Sequence, residues 1–284
     1  MELFILPLAF REQPDEVRQV ITVVSWALAM WGPGIGALVA TRFADGRSLR
    51  TLNLRRLGPR RVYLWAWLLP PVLAVLAGLL TVAFGVARID PGLTLIRQSF
   101  EAVPGGLPVA PWVVVAAQIL FSLTLAPLFN MIFALGEELG WRGFLLPQLE
   151  PLGQWRAILL SGVVWGIWHA PAILQGHNYP SAPLLGTLLM VVTCVLLGTI
   201  LSWLYLRTRS PWAPALAHGA FNATGGVSIL FLVPFDRTWG GTPASPVGWI
   251  GMALVVAWLV ATRRLPVKPA VETVASAPDR VAQA

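Results

Sequence analysis

Read from the amino terminus, the chain is a series of long apolar runs interrupted by short polar connections. The runs cover about Val20–Thr41, Val62–Val86, Pro111–Leu135, Arg156–Leu174, Leu184–Leu206, Ala213–Val233 and Val247–Ala261. They are continuous and do not alternate with a period of two, so they predict membrane-spanning helices and not strands of a barrel. The fold class is all-α, a polytopic transmembrane helical bundle of about seven to eight membrane helices. The first run contains Trp31-Gly32-Pro33-Gly34-Ile35-Gly36, which predicts a kink and the close approach of a neighbouring helix. Leu93–Val103 predicts a short surface helix between the second and third runs. Residues 1–19 are expected to lie at the membrane surface, 20–262 to form the transmembrane domain, and 263–284 to be a disordered tail rich in Ala, Pro and Val. No internal repeat and no secretory leader is visible.

Composition agrees with the pattern. Of 284 residues, 56% are hydrophobic and 12% charged, against about 25% charged in soluble domains. The net charge is +7, almost all of it from arginine, with Lys268 the one lysine. No basic stretch is interleaved with aromatics, so nucleic acid is not an expected partner. The charge instead sets topology and contacts with the lipid bilayer. The arginines crowd alternate loops: Arg42 to Arg61, Arg142 and Arg156, Arg207 and Arg209, then Arg263 and Arg264. The positive-inside rule places those loops in the cytoplasm, with the amino terminus outside and the carboxyl terminus inside. The glutamate motif follows the third run on a helix expected to continue to about Leu149, and then lies at or below the cytoplasmic membrane surface. Cys194 is the one cysteine, which excludes an internal disulfide and a paired-cysteine metal site.

The chain is organised around Gly136-Glu137-Glu138-Leu139-Gly140-Trp141-Arg142-Gly143. Ionisable groups at membrane depth are costly and mark functional sites. On a helix Glu138 and Arg142 are four residues apart and can pair, which leaves Glu137 free for chemistry. Gly162, Gly166 and His169 share one helix face in the fourth run, and small residues line helix contacts, so His169 is expected to point into the bundle. His218 and Asn222 stack on one face of the sixth run. Taken singly, the glutamates and Arg142 also read as an interfacial ion-pair cluster, His169 reads better as a histidine bonded to a neighbouring carbonyl, and His218 and Asn222 also read as interhelical glue. Trp141 and Trp165 are read as packing residues, and His177 as a solvated or interfacial loop residue. Together, a carboxylate, two histidines and an amide make a hydrolytic inventory. No Ser/His/Asp arrangement, phosphate-cradling loop or His-Glu-x-x-His helix accompanies it.

These motifs resemble those of the CPBP family of CAAX proteases and bacteriocin-processing enzymes, also called Abi. That family carries Glu-Glu-x-x-x-Arg, Phe-x-x-x-His and His-x-x-x-Asn on separate helices. Glu137-Glu138 with Arg142 and His218 with Asn222 match, and His169 matches with Trp165 in place of Phe. The resemblance spans about Pro111 to Val233. It implies an intramembrane endopeptidase with its site open to the cytoplasm, acting on a peptide or membrane-anchored protein. Glu137 and His169 would activate water, His218 and Asn222 would hold the oxyanion, and Glu138 and Arg142 would order the pocket. Glu137, His169 and His218 are also a ligand set for one divalent ion such as zinc; metal-free activation is the preferred expectation. A non-catalytic scaffold or immunity protein of the same fold and a proton-coupled transporter are the alternatives. The Arg-rich, Lys-poor composition suggests a GC-rich bacterial genome and hence the bacterial inner membrane, where prenylated substrates are less expected. Substrate and oligomeric state stay open.

Overall fold

The structure, a computed structural model, describes residues 15–101, 109–234 and 236–267. The first fourteen residues and the tail after 267, with most of the expected surface segment and disordered tail, lie outside the described residues. Helices α1 (Asp15–Val39), α2 (Arg61–Ala83) and α9 (Pro183–Thr208) are the long ones. Short α3 (Thr94–Glu101) occupies the stretch expected to hold a surface helix. Helices α4 (Pro111–Leu123) and α5 (Leu125–Glu138) follow, then a π-helical turn Leu139–Leu145 and α6 (Leu146–Leu149). Beyond them come α7 (Gln154–Trp168), the single turn α8 (Ala170–Ile173), α10 (Trp212–Thr224) and α11 (Pro246–Ala261). Strands β1 (Arg88–Ile89) and β2 (Leu232–Val233) form a small antiparallel clasp.

Three described helices are long and apolar enough to cross a bilayer alone, and α4 with α5 makes a fourth if the pair, bent by 48°, is one span. Large apolar side chains on several helices, such as Leu28, Leu64, Leu68, Leu79, Leu184, Leu188 and Leu254, are exposed. So much outward apolar surface is stable only against lipid tails. The protein is an integral membrane protein.

Two features of the spans shape the site. The third run continues past Leu135 as a helical path to Leu152 that contains the glutamates, close to the expected end at about Leu149. It bends at Thr124 because Pro127 has no N–H to offer the Leu123 carbonyl one turn back. That carbonyl instead accepts the Trp67 indole N–H at 2.8 Å. The sixth run is helical only to Thr224 and then continues through a tight turn, Val227–Phe231, into β2. At about 1.5 Å per residue, the 13 residues of α10 stop short of the ~30 Å hydrocarbon core.

Helix α10 is wedged mainly between α5 and α2, and α7 packs along α9. Small residues make these approaches possible. A Cβ on Gly219 would lie 2.5 Å from the Met131 nitrogen and 2.7 Å from the Pro127 carbonyl oxygen. A Cβ on Gly166 would lie 2.5 Å from Val191 Cα, and one on Gly162 2.9 Å from Val195 Cα. Gly34 and Gly136 meet in the same way across α1 and α5. The close approach expected of the Trp31–Gly36 segment is therefore to the glutamate helix itself.

Candidate active site

Glu137 and Glu138 occupy the last turn of α5, where both are buried, at 2% and 0% exposure. The π-helical turn that follows carries Gly140, Trp141 and Arg142. A π-turn widens the helix by one residue and is frequent at functional sites. Glu138 Oε1 accepts from Arg142 Nη1 at 2.8 Å, the ion pair expected from the spacing. The same oxygen lies 2.9 Å from His218 Nδ1 on α10. An ionised carboxylate only accepts, so Nδ1 carries the proton there. The Arg142 guanidinium is completely buried and lies 4.2 Å from the Trp165 ring centroid, a cation–π contact that helps to hold it without water.

Glu137 is not free, as the sequence reading had it. Its Oε2 accepts the Trp165 indole N–H at 2.7 Å and lies 3.4 Å from Trp141 Nε1. The two tryptophans read as packing residues are hydrogen-bond donors to the carboxylate. Nothing in the spacing signals this for Trp165, because α7 reaches Glu137 only through tertiary packing.

His169 caps the end of α7, where Pro171 removes an N–H from the next turn. Its Nδ1 lies 2.8 Å from the Trp165 carbonyl oxygen, and Cys194 Sγ is 3.7 Å from the same nitrogen. A carbonyl only accepts, so Nδ1 bears the proton and a neutral His169 keeps Nε2 as an acceptor. Trp165 therefore orients both groups, Glu137 through its side chain and His169 through its backbone.

Glu137, His169, His218 and Asn222 line one cavity of about 430 Å³. Asn222 lies one turn beyond His218 on α10, with Trp165, Trp168, Met190, Leu197 and Phe221 among the walls. The six motif residues thus meet around one space: four line it, while Glu138 and Arg142 lie beneath and reach it through His218 and Trp165.

The outer part of the cavity was not legible in the sequence. It is lined by Trp26 from α1, by His177 and Asn178 from the loop after α8, and by Arg237 and Thr242 from the loop before α11. Trp26 and His177 stack with ring centroids 4.9 Å apart. These loops lie away from the arginine-rich loops. The glutamates lie within a helix, so its neighbours and not the nearest loop set where the cavity opens.

Among the described residues, no three His, Cys, Asp or Glu side chains converge in a geometry that could hold a metal ion. Glu137 Oε2 is turned to indole N–H groups, and the Nδ1 atoms of both histidines are engaged within the protein.

The fold and site define a helical membrane protein with a buried carboxylate–imidazole centre at the base of a polar-mouthed cavity. Residues 112–224 match the family described as type II CAAX prenyl endopeptidase, Rce1-like. The matched segment holds all six motif residues. The chain is similar to CAAX prenyl protease 2 of Methanococcus maripaludis, 30% identical over 96 residues, or 32% of this chain and 33% of that protein. The chain thus matches about a third of the length of this curated relative.

Proposed function

We propose that the protein is an intramembrane endopeptidase that hydrolyses a peptide bond of a membrane-associated polypeptide. The observation that carries this reading is the convergence of Glu137, His169, His218 and Asn222 on one cavity. Glu137 and the Nε2 of His169 together take a proton from a water molecule as its oxygen attacks the scissile carbonyl. The tetrahedral oxyanion is held by the Asn222 side-chain amide and by His218, whose ring is anchored from behind by Glu138. Collapse of the intermediate breaks the C–N bond, and the proton held by the carboxylate–imidazole pair passes to the leaving amine. No step passes through a metal. The apolar walls keep bulk water out, which strengthens each electrostatic contact.

The match to a CAAX prenyl endopeptidase family supports a polypeptide substrate, and membrane burial of the site supports one tethered to or inserted in the bilayer. The bilayer is the cell membrane of a bacterium, in keeping with the arginine-rich, lysine-poor composition. The test is a proteomic comparison of membranes from cells carrying wild type or Glu137→Gln. A polypeptide trimmed only by the wild type, with trimming reduced at least ~100-fold in the variant, is the expected result. Identical proteomes, with Glu137→Gln complementing every wild-type phenotype, would replace the protease reading with that of a scaffold.

A further inference from the structure

A second concave site lies on the outside of the bundle, where α2, α9 and α11 pack together. It is a groove of about 260 Å³ whose walls include Trp65 and Leu76 of α2, Trp203 of α9, and Leu254 and Trp258 of α11. It shares no lining residue with the cavity around Glu137. From Trp65 to Leu76 the helix rises about 16 Å, at about 1.5 Å per residue. The hydrocarbon of one leaflet is about 15 Å deep, half of the ~30 Å core. The groove is therefore narrow and about as long as one acyl chain.

Its lining carries no polar side-chain group except the indole N–H of the tryptophans. A polypeptide laid along it would leave backbone N–H and C=O groups without partners, at a heavy cost in hydrocarbon. A hydrocarbon chain has no such groups to satisfy.

One end of the groove is different. Trp65 packs against Trp203 and Trp258, with ring centroids 6.4 and 5.5 Å apart. Each tryptophan has an arginine beyond it, toward the same end of the bundle. Arg61, the first residue of α2, is one turn before Trp65, and Arg207, in the last turn of α9, is one turn after Trp203. Residues four apart share a helix face. Arg264 follows α11, with its guanidinium carbon 4.6 Å from the Trp258 ring centroid. All three arginines are exposed, and among the described residues none is in a salt bridge. The three helix ends are tied to one another by their neighbours. Trp212 Nε1, just after α9, donates to the Leu54 carbonyl ahead of α2 at 2.8 Å. Arg209 forks onto Glu150 at 2.8 and 2.9 Å, and the nearby Gln154 bonds Val267, just after α11.

Tryptophan rings mark the level of the lipid headgroups. Basic pockets between membrane helices attract anionic headgroups, and the guanidinium fork matches phosphate oxygens. We propose that this groove binds one anionic glycerophospholipid, with an acyl chain along α2 from Trp65 to Leu76 and the phosphate on Arg61, Arg207 and Arg264. A zwitterionic lipid carries its own cation to three arginines and is disfavoured. The site is independent of the proposed protease function. It bears on the frame of the protein, because α2 packs against α10, which carries His218 and Asn222.

The test uses the full chain, stripped of lipid in detergent, with dioleoylphosphatidylglycerol and separately with dioleoylphosphatidylcholine. Native mass spectrometry counts bound lipid, and melting curves record stabilisation. The expected result is one phosphatidylglycerol held at least about 10-fold more tightly than phosphatidylcholine, with a melting temperature that rises with its concentration. The triple variant Arg61→Gln, Arg207→Gln, Arg264→Gln should lose this preference. The double variant Arg88→Gln, Arg97→Gln, beyond the far end of α2, should keep it. Val255→Trp fills the groove and should lose the bound lipid with all three arginines in place; should that variant not fold, the arginine series decides alone. Equal binding of the two lipids, a preference that persists in the triple variant, or lipid retained by folded Val255→Trp overturns the proposal. So does equal stabilisation by inorganic phosphate, which would make this a plain anion site, or a dimer of the chain that excludes lipid from the groove.

Discussion

The indole N–H of Trp165 donates to Glu137 Oε2 at 2.7 Å, while the carbonyl of the same residue accepts from His169 Nδ1 at 2.8 Å. One residue thus positions the carboxylate and the imidazole proposed to share the water. Trp165→Phe supplies the aromatic of the family pattern and removes only the N–H; the backbone carbonyl stays. A hydrogen bond to a charged group is worth about 1.5–3 kcal/mol. Turnover should therefore fall about 10- to 100-fold while KM and the melting temperature in detergent change little. A rise in KM with turnover intact would show that Trp165 shapes the binding wall instead.

Beneath the cavity, Glu138 and Arg142 form a wholly buried pair that also anchors His218. Removing one partner strands the other charge. Arg142→Met should destabilise the protein by about 3–5 kcal/mol, visible as a lower melting temperature and a poorer yield of folded protein. The double variant Glu138→Gln, Arg142→Met removes both charges and should recover most of that loss. If the double variant is as unstable as the single one, the pair is not what stabilises this turn.

Gly140 is expected to tolerate no side chain. A Cβ there would sit 2.5 Å from Pro33 Cβ and 2.6 Å from the Pro33 carbonyl carbon. Overpacking of this kind costs about 1–3 kcal/mol, and here it pushes α1 away from the helix that carries both glutamates. Gly140→Ala should lower the melting temperature and the activity together. Gly153→Ala makes a poor control, because Gly153 has a φ of +94°. Gly36→Ala, with nothing within 4 Å of its added Cβ, is a suitable one.

At the mouth, Asp236 accepts from the Ser181 hydroxyl at 2.7 Å and from the Thr238 N–H at 2.8 Å. The Ser181 hydroxyl is the largest influence and burial opposes it; with the lesser help of the Thr238 N–H and hydroxyl, it holds the carboxyl below the usual aspartate range. A group whose folded pKa is depressed contributes stability above its unfolded value and loses it as pH falls through the folded one. The clasp between the 174–182 and 234–245 loops should therefore be intact at neutral pH and loosen only below about pH 4. Proteolytic nicking or hydrogen exchange in these loops should increase in that window. In Asp236→Asn the increase with acid should disappear; its persistence would assign the acid step to another group.

Much of the chemistry was legible because it is local or compositional. A run of apolar residues without charges cannot be stable outside lipid, so membrane helices follow from the residues alone. Glu138 and Arg142 pair because four residues return a helix to the same face. The stacking of His218 over Asn222 follows from the same geometry. The remaining features depend on contacts between helices that no spacing along one helix specifies. Trp165 reaches Glu137 across 28 residues, and His218 reaches Glu138 across 80. Whether a carboxylate is free or held depends on which donor a neighbouring helix presents, so only the tertiary structure decided that Glu137 is held as well. Packing also decided the direction of opening. Leu139, Arg142 and Leu146 close the bundle toward the arginine-rich loops, and the short α10 leaves space on the other side, beneath loops whose sequences carry no signal of a site.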